Sequence, residues 1–495
     1  MTLRVLNTLS GELELFEPAD PERVLLYYCG LTVSDFAHLG HARTWVHVDV
    51  IHRWLEQSGY DVRHVENITD VNEKIVARVG EDDLGDSERA VATGFTEQLL
   101  SDMRALNLKR AEVYPRVTEH IPEIIDLVET LIETDHAYEV NGSVYFDVHS
   151  FDEYGKLSNQ RLDAVEPQED GDRSEKRDPA DFALWKAGGV DADAVTDHRR
   201  ADREYAVETP SGETWDSPWG EGRPGWHIEC SAMSMAHLDT GIDIHMGGRD
   251  LVFPHHENEI AQSEAASGER FADYWLHVRL LETDGEKMSS SLGNFFTAAD
   301  AVAEFGANVV RMFLVSTSYA QRQTYSEATV SEAEERWDRL ERAYDRAVGA
   351  ADDVTAHAKV VDEDLRAAVA DARASFTEAM EDDFNTRGAV SAVLELATAV
   401  NRHVDAHDAT DYRGLVDAIE TFEALGGDVL GFQFGGAGEV GGDVAVAEDV
   451  VDLVLDVREA ERDAGNYERA DDLRARLEAL GVTVEDTEDG ATFQL

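Results

Sequence analysis

An α/β fold with a parallel sheet, giving way to a mostly helical second half, is what the pattern of this 495-residue chain predicts. Arg23–Cys29 is a short apolar run rich in strand formers, closed at once by Gly30. After His41 the apolar residues Val46, Val50, Ile51, Trp54 and Leu55 recur with helical spacing, and Gly59 ends the run. Residues 60–66 read as a second strand. Strand, turn, helix, strand is a βαβ unit, which requires parallel pairing. The sheet resumes with Ile242–Met246 and a strand near 275–281, and residues 300–430 carry a charged helical pattern.

Between these parts, residues 115–214 read as an insertion, with an acidic tract at 163–181 and a polar tract at 187–213 expected as exposed loops. Gly435–Gly442 is glycine-rich and reads as a linker. Helices are expected beyond it near 447–464 and 467–480. The chain is strongly acidic, with 103 Asp and Glu against 43 Lys and Arg and a formal net charge of −60. The acid is spread along the chain among dispersed apolar residues, which favours a folded protein in a salt-rich medium over a disordered one. No stretch is long and apolar enough to cross a membrane, and the first residues lack a signal-peptide core, so a cytoplasmic protein is expected. Only Cys29 and Cys230 carry thiols, and a disulfide between them is not expected in that compartment.

Three clusters carry chemistry. His38 and His41 sit three apart where the first strand hands over to a helix, and Gly40 admits a ligand to the backbone. A helix N-terminus there suits phosphate; read alone, the pair also fits two surface histidines. His255 and Glu259, four apart after Pro254, lie on one helical face and can share a metal. With Cys29 and Cys230 they would make a tetrahedral zinc site, although without the cysteines they would be a helix-surface pair. His256 would point aside as a supporting group. Glu286–Asn294 is a polar loop in which Lys287, Ser289 and Ser290 could close over a triphosphate, or be a plain surface loop.

Together the clusters resemble a known family. His38–Leu39–Gly40–His41 resembles the HIGH signature of class I aminoacyl-tRNA synthetases, and the 287–291 loop resembles their KMSKS signature. Cys29–Val33, Asn67–Asp70, Phe182–Lys186, Trp215–Gly220, Gly225–Cys230 and Phe253–Glu259 are similar to the cysteine-specific branch, as are Asp382–Thr386 and Ala470–Gly481. The resemblance implies a Rossmann-type catalytic core split by a connective peptide, then a helical tRNA-contacting region and an anticodon-binding end. The implied boundaries are 1–114 and 215–300 for the two catalytic halves and 115–214 for the inserted peptide. They continue with 301–350 for the stem-contact region, 351–434 for a helical bundle, 435–444 for the linker and 445–495 for the terminal unit.

What the resemblance implies for the site is a Zn2+ on Cys29, Cys230, His255 and Glu259, and ATP with Mg2+ at His38, Gly40, His41, Gly247, Gly248, Asp250, Lys287, Ser289 and Ser290. Thr69, Trp226 and His256 would line the pocket for L-cysteine. His38, His41, Lys287 and Ser290 would act in adenylate formation, and a terminal tRNA(Cys) ribose hydroxyl would then take the cysteine. One departure stands out: Ser290 occupies the position of a second signature lysine, which leaves Lys287 as the loop's cation; serine there is tolerated across class I enzymes, so activity is expected, with the departure pointing toward weaker catalysis. Zinc–thiolate selection against serine would remove the need for an editing domain. With so acidic a surface, RNA contacts are expected at local arginines: Arg311, Arg322, Arg458, Arg462, Arg469, Arg474 and Arg476. A monomer is expected. The competing readings are a paralogue that ligates cysteine to an amino-sugar and a catalytically silent tRNA-binding protein.

Overall fold

The structure, a computed structural model, describes residues 2–162, 168, 171–200, 203–283, 286–287, 296–435, 458, 469–470, 473–474, 483–487 and 490–494. Two compact units make up the chain, Met1–Phe432 and Gln433–Leu495.

In the larger unit, β1 (Arg23–Tyr28) leads into α1 (Leu39–Gln57) and back to β2 (Asp61–Glu66), as the apolar periodicity requires. Valine, leucine and tyrosine suit β1 because branched and aromatic side chains pack on a pleated surface. The side chain of His38 caps α1 by accepting from the His41 backbone. At the other end Ser58 is the C-cap, and Gly59 follows with φ of +98°, a conformation that favours glycine. α2 (Glu88–Ala105) follows.

An inserted layer then runs from α3 (Ile121–Glu133) through five antiparallel strands: β3 (Ala137–Val140), β4 (Ser143–Phe146), β5 (Phe182–Ala187), β6 (Trp215–Ser217) and β7 (Gly220–Pro224). Their order is β3-β4-β5-β7-β6, so this sheet continues to Pro224. The polar 187–213 tract is not all loop, since Ala192–His198 is helical. Ile124, Val128 and Leu131 of α3 pack with Phe146, Phe182 and Trp185. The same core takes in Ile228, Met233 and Ala261.

Those last residues belong to the helices of the resumed parallel sheet: α4 (Trp226–His237), β8 (Ile242–Gly248), α5 (Glu257–Ser267) and β9 (Ala272–Val278). The sheet order is β9-β8-β1-β2, parallel throughout. The connections leave the central pair β8 and β1 in opposite directions, which makes their carboxyl ends the switch point where open α/β sheets bind ligands.

The helical half consists of α6 (Ala307–Val315), α7 (Glu327–Ala351), α8 (Glu363–Glu381), α9 (Thr386–Ala406) and α10 (Tyr412–Thr421). Arg311 on α6 does not face RNA. Its side chain is fully buried, with Nη2 2.6 Å from Asp49 Oδ2 and further donation to the carbonyls of Leu430 and Leu106. A buried guanidinium needs such a shell of acceptors. Arg322 is exposed and pairs with Glu282 at 2.9 Å. Arg458 is buried, Arg469 exposed and Arg474 half-buried, while Arg462 and Arg476 lie outside the described residues.

In the second unit β10 (Thr483–Thr487) and β11 (Gly490–Gln494) form an antiparallel hairpin. The helices expected near 447–464 and 467–480 lie mostly outside the described residues, as does the linker after Gly435.

Candidate active site and metal centre

At the end of β1 the Cys29 amide donates to the Met246 carbonyl of β8 at 3.0 Å, so the first thiol projects from the switch point itself. Asn67, just past β2, ties this edge together by accepting from the Gly30 amide at 2.8 Å and the Tyr27 hydroxyl at 3.0 Å. A side chain at Gly30 would strike the Asn67 carbonyl, so only glycine fits there. Trp226 and Cys230 occupy successive turns at the start of α4, whose N-cap is Gly225. A wide turn over Val252–His256, with Phe253 extended and a cis Phe253–Pro254 bond, precedes α5. The regular helix therefore starts at Glu257 rather than at Pro254. His255 and Glu259 still face the same side.

These elements bring four donors together. Cys29 Sγ lies 3.5 Å from Cys230 Sγ and 3.3 Å from His255 Nε2. His255 Nε2 is 2.8 Å from Glu259 Oε1. The four ligand atoms all lie within 4.8 Å of one another, and the residues are between 0% and 4% exposed. Two thiols, an imidazole and a carboxylate packed this closely away from water fit a borderline-soft divalent ion such as zinc.

Electrostatics point the same way. Burial opposes ionisation of Glu259, but His245 and His255 outweigh it and hold the carboxyl well below its usual range. Burial disfavours an imidazolium at His255, yet Glu259 and Cys230 push it up to about 10. Cys230 is raised well above the ordinary thiol value by its contact with Cys29 and by burial.

Two residues that the motifs did not single out hold the quartet in place. His245 Nε2 meets Glu259 Oε2 at 2.6 Å, and His227 Nδ1 meets His255 Nδ1 at 2.9 Å. Outer partners of this kind orient metal ligands. His245 carries a signal in hindsight, a polar residue inside an otherwise apolar strand, and His227 lies within the Gly225–Cys230 segment. His256, expected to line the cysteine pocket, is fully buried and pairs through Nδ1 with His277 Nε2 at 2.8 Å.

Thr69 and Trp226 flank the quartet. Thr69 is bridged to Thr32 beside the end of β1, and the Trp226 ring lies 4.3 Å from that of His255. At the start of α1, His38 and His41 stack at 3.6 Å with their planes 12° apart, and each backbone amide donates to the other's Nδ1. A side chain at Gly40 would touch His38 Cε1 at 2.8 Å, so glycine is needed for the stack. β8 ends in Gly247 and Gly248, and Asp250 Oδ1 would lie 2.6 Å from a Cβ at Gly248. Asp250 is exposed. Lys287 pairs through its backbone with Glu282 in a short antiparallel ladder. Ser289 and Ser290 lie outside the described residues.

Known proteins match this architecture. Residues 15–335 match the tRNA synthetases class I (C) catalytic domain family, and residues 375–435 match the DALR domain family. A Cysteine–tRNA ligase of Halobacterium salinarum is 70% identical, covering 100% of both chains. One from Thermococcus onnurineus is 41% identical over 100% of this chain and 99% of its own. Among solved structures, Mycobacterium tuberculosis methionyl-tRNA synthetase in complex with methionyl-adenylate aligns with a TM-score of 0.58 at 16% identity. It covers 83% of this chain and 92% of that one, a likeness of fold.

Proposed function

Because the chain belongs to the class I cysteine–tRNA ligase family, we propose that its buried quartet of Cys29, Cys230, His255 and Glu259 holds one Zn2+ that selects L-cysteine by its thiol. The overall reaction is the ATP-dependent ligation of cysteine to tRNA. The single observation that carries the zinc reading is the convergence of four unlike donors within 4.8 Å of one another at the carboxyl ends of β1 and β8.

Around that centre the residues divide the work. Trp226 and Thr69 wall the amino-acid pocket, and His256 stiffens its base. The stacked pair His38 and His41, on the first turn of α1, receives ATP phosphates, since the free amides and dipole of a helix start favour anions. Asp250 and the Gly247–Gly248 strand end take the nucleoside, with Mg2+ on the phosphates. Lys287, Ser289 and Ser290 stabilise charge on the departing pyrophosphate more than in the ground state. Zinc, when bound, favours the substrate thiolate and discriminates against the hydroxyl of serine.

The connective peptide starts near residue 115 and, because its antiparallel sheet runs on through Gly220–Pro224, ends at Pro224 rather than at 214, while residues 301–434 and 445–495 are the tRNA-contacting parts. RNA recognition rests on exposed cations such as Arg322 and Arg469, on shape and on base stacking. The formal charge of −60 suits a salt-rich cytoplasm, where screening shortens self-repulsion. The protein works as a monomer.

Cysteine-dependent ATP–pyrophosphate exchange, followed by charging of tRNA(Cys) and of an amino-sugar acceptor, tests the assignment. Exchange and tRNA charging are expected. Exchange with amino-sugar ligation alone, or no exchange at all, contradicts it. Ready formation of seryl-tRNA would contradict zinc selection.

A further inference from the structure

Glu229 stands immediately before Cys230 in the first turns of α4 and is 2% exposed. Its Oε2 is buried without a hydrogen-bond partner. Four other acids of the catalytic half have charged or hydrogen-bonding partners. Asp70 accepts from the Thr118 amide at 3.1 Å and the Thr118 hydroxyl at 2.6 Å. Glu73 pairs with Arg223 at 3.0 Å. Glu257 accepts from the Gly155 and Ser158 amides at 2.9 and 2.7 Å, and Glu259 is held between His245 and His255. His255 of the quartet, Asp70, Lys186 and Arg223 are among the ionisable groups near enough to act on Glu229.

A buried carboxylate oxygen without a donor is destabilising, and a donor on a bound ligand would satisfy it. A cysteine held by its sulfur at the quartet has one cation to offer, its α-ammonium, three bonds from that sulfur. Glu229 lies three residues after Trp226 on the helix, so the two share a face, and the Trp226 ring lies 4.3 Å from that of the quartet's His255.

We propose that Glu229 is a specificity-determining residue that binds the α-ammonium of the substrate, so that the site reads amine and thiol together. The proposal rests on the quartet gripping the thiol. In chemical class the ligand is a β-thiol α-amino acid, and a thiol acid without the amine should be discriminated against.

The test is calorimetric binding of L-cysteine and of 3-mercaptopropionate to the zinc-loaded full chain, in wild type, Glu229→Gln and Glu229→Asp. Wild type should prefer cysteine. Glu229→Gln, at unchanged zinc content, should weaken cysteine about tenfold or more and leave 3-mercaptopropionate within about twofold. Glu229→Asp, which keeps the charge, should retain part of the preference. Equal weakening of both ligands would show a scaffolding role and overturn the proposal. So would cysteine affinity within about threefold of wild type in Glu229→Gln, or equal affinity of wild type for the two ligands. Chelation of the wild-type metal separates the premise: if cysteine then binds as before, the thiol–zinc reading falls, whereas the contrast between the two ligands still reports on Glu229.

Discussion

Replacing His245 with alanine should loosen the metal without touching any of its ligands. His245 is fully buried, and its Nε2 lies 2.6 Å from Glu259 Oε2, the oxygen that does not face His255. His245→Ala leaves that oxygen without its donor and frees the carboxylate to rotate. Loss of such an outer partner typically costs about 10–100-fold in metal affinity, which is about 1.4–2.7 kcal/mol. The variant also loses the stack of His245 on Trp275, whose rings lie 4.2 Å apart, so some global stability goes with it. His245→Gln separates the two effects, because its amide N–H can reach the same carboxylate oxygen and should recover part of the affinity. The assay is zinc competition against a chromophoric chelator, read beside thermal unfolding of the metal-loaded protein. A zinc dissociation constant in His245→Ala within about threefold of wild type would refute the claim that this contact orients Glu259.

Other consequences are open to measurement. Arg311→Met removes one side of a buried pair; Asp49 keeps Arg53 and the Lys109 amide as partners, so the loss should sit near the low end of the usual range, about 3 kcal/mol. Thermal unfolding measures it, with Arg322→Ala, which touches only an exposed pair, expected within about 0.5 kcal/mol of wild type. Burial and the nearby His52 depress His64 to about 3, and neither of its ring nitrogens has a partner. Its contribution to stability is therefore complete above the unfolded histidine pKa of about 6.5 and lost as pH falls toward the folded value. His64→Leu should flatten the acid-side slope by up to about 1.4 kcal/mol per pH unit, measured by unfolding between pH 7 and 5. Aminoacylation should persist in molar KCl, and its loss there would remove the case that the acidic surface is an adaptation to salt.

Much of this was legible in the residues. Strand formers in Arg23–Cys29, the helical spacing of Val46 to Leu55 and the glycine at 59 fixed the βαβ unit, because local pattern and global fold agree there. The zinc quartet was legible only as a set. Cys29 and Cys230 are 201 positions apart, and no spacing rule joins them; similarity of the flanking segments did. Arg311 misled because its acceptors, Asp49 and Leu430, are 262 and 119 positions away, so nothing near it in sequence marks it as buried. His245 was passed over because its strand was read for apolar character, and its partner Glu259 becomes adjacent only once the turn at Val252–His256 folds the chain back. Pro254 suggested a helix start, but the extended Phe253 and the wide turn around it delay the regular helix to Glu257.

The most direct measurement is zinc content with X-ray absorption at the zinc edge on the full chain, with and without L-cysteine. One zinc per chain is expected, bound by two sulfurs at about 2.3 Å together with nitrogen and oxygen, gaining a third sulfur when cysteine is added and falling away in Cys230→Ser. A metal-free wild-type protein that still binds cysteine, or a zinc shell unchanged by Cys230→Ser, would contradict the account.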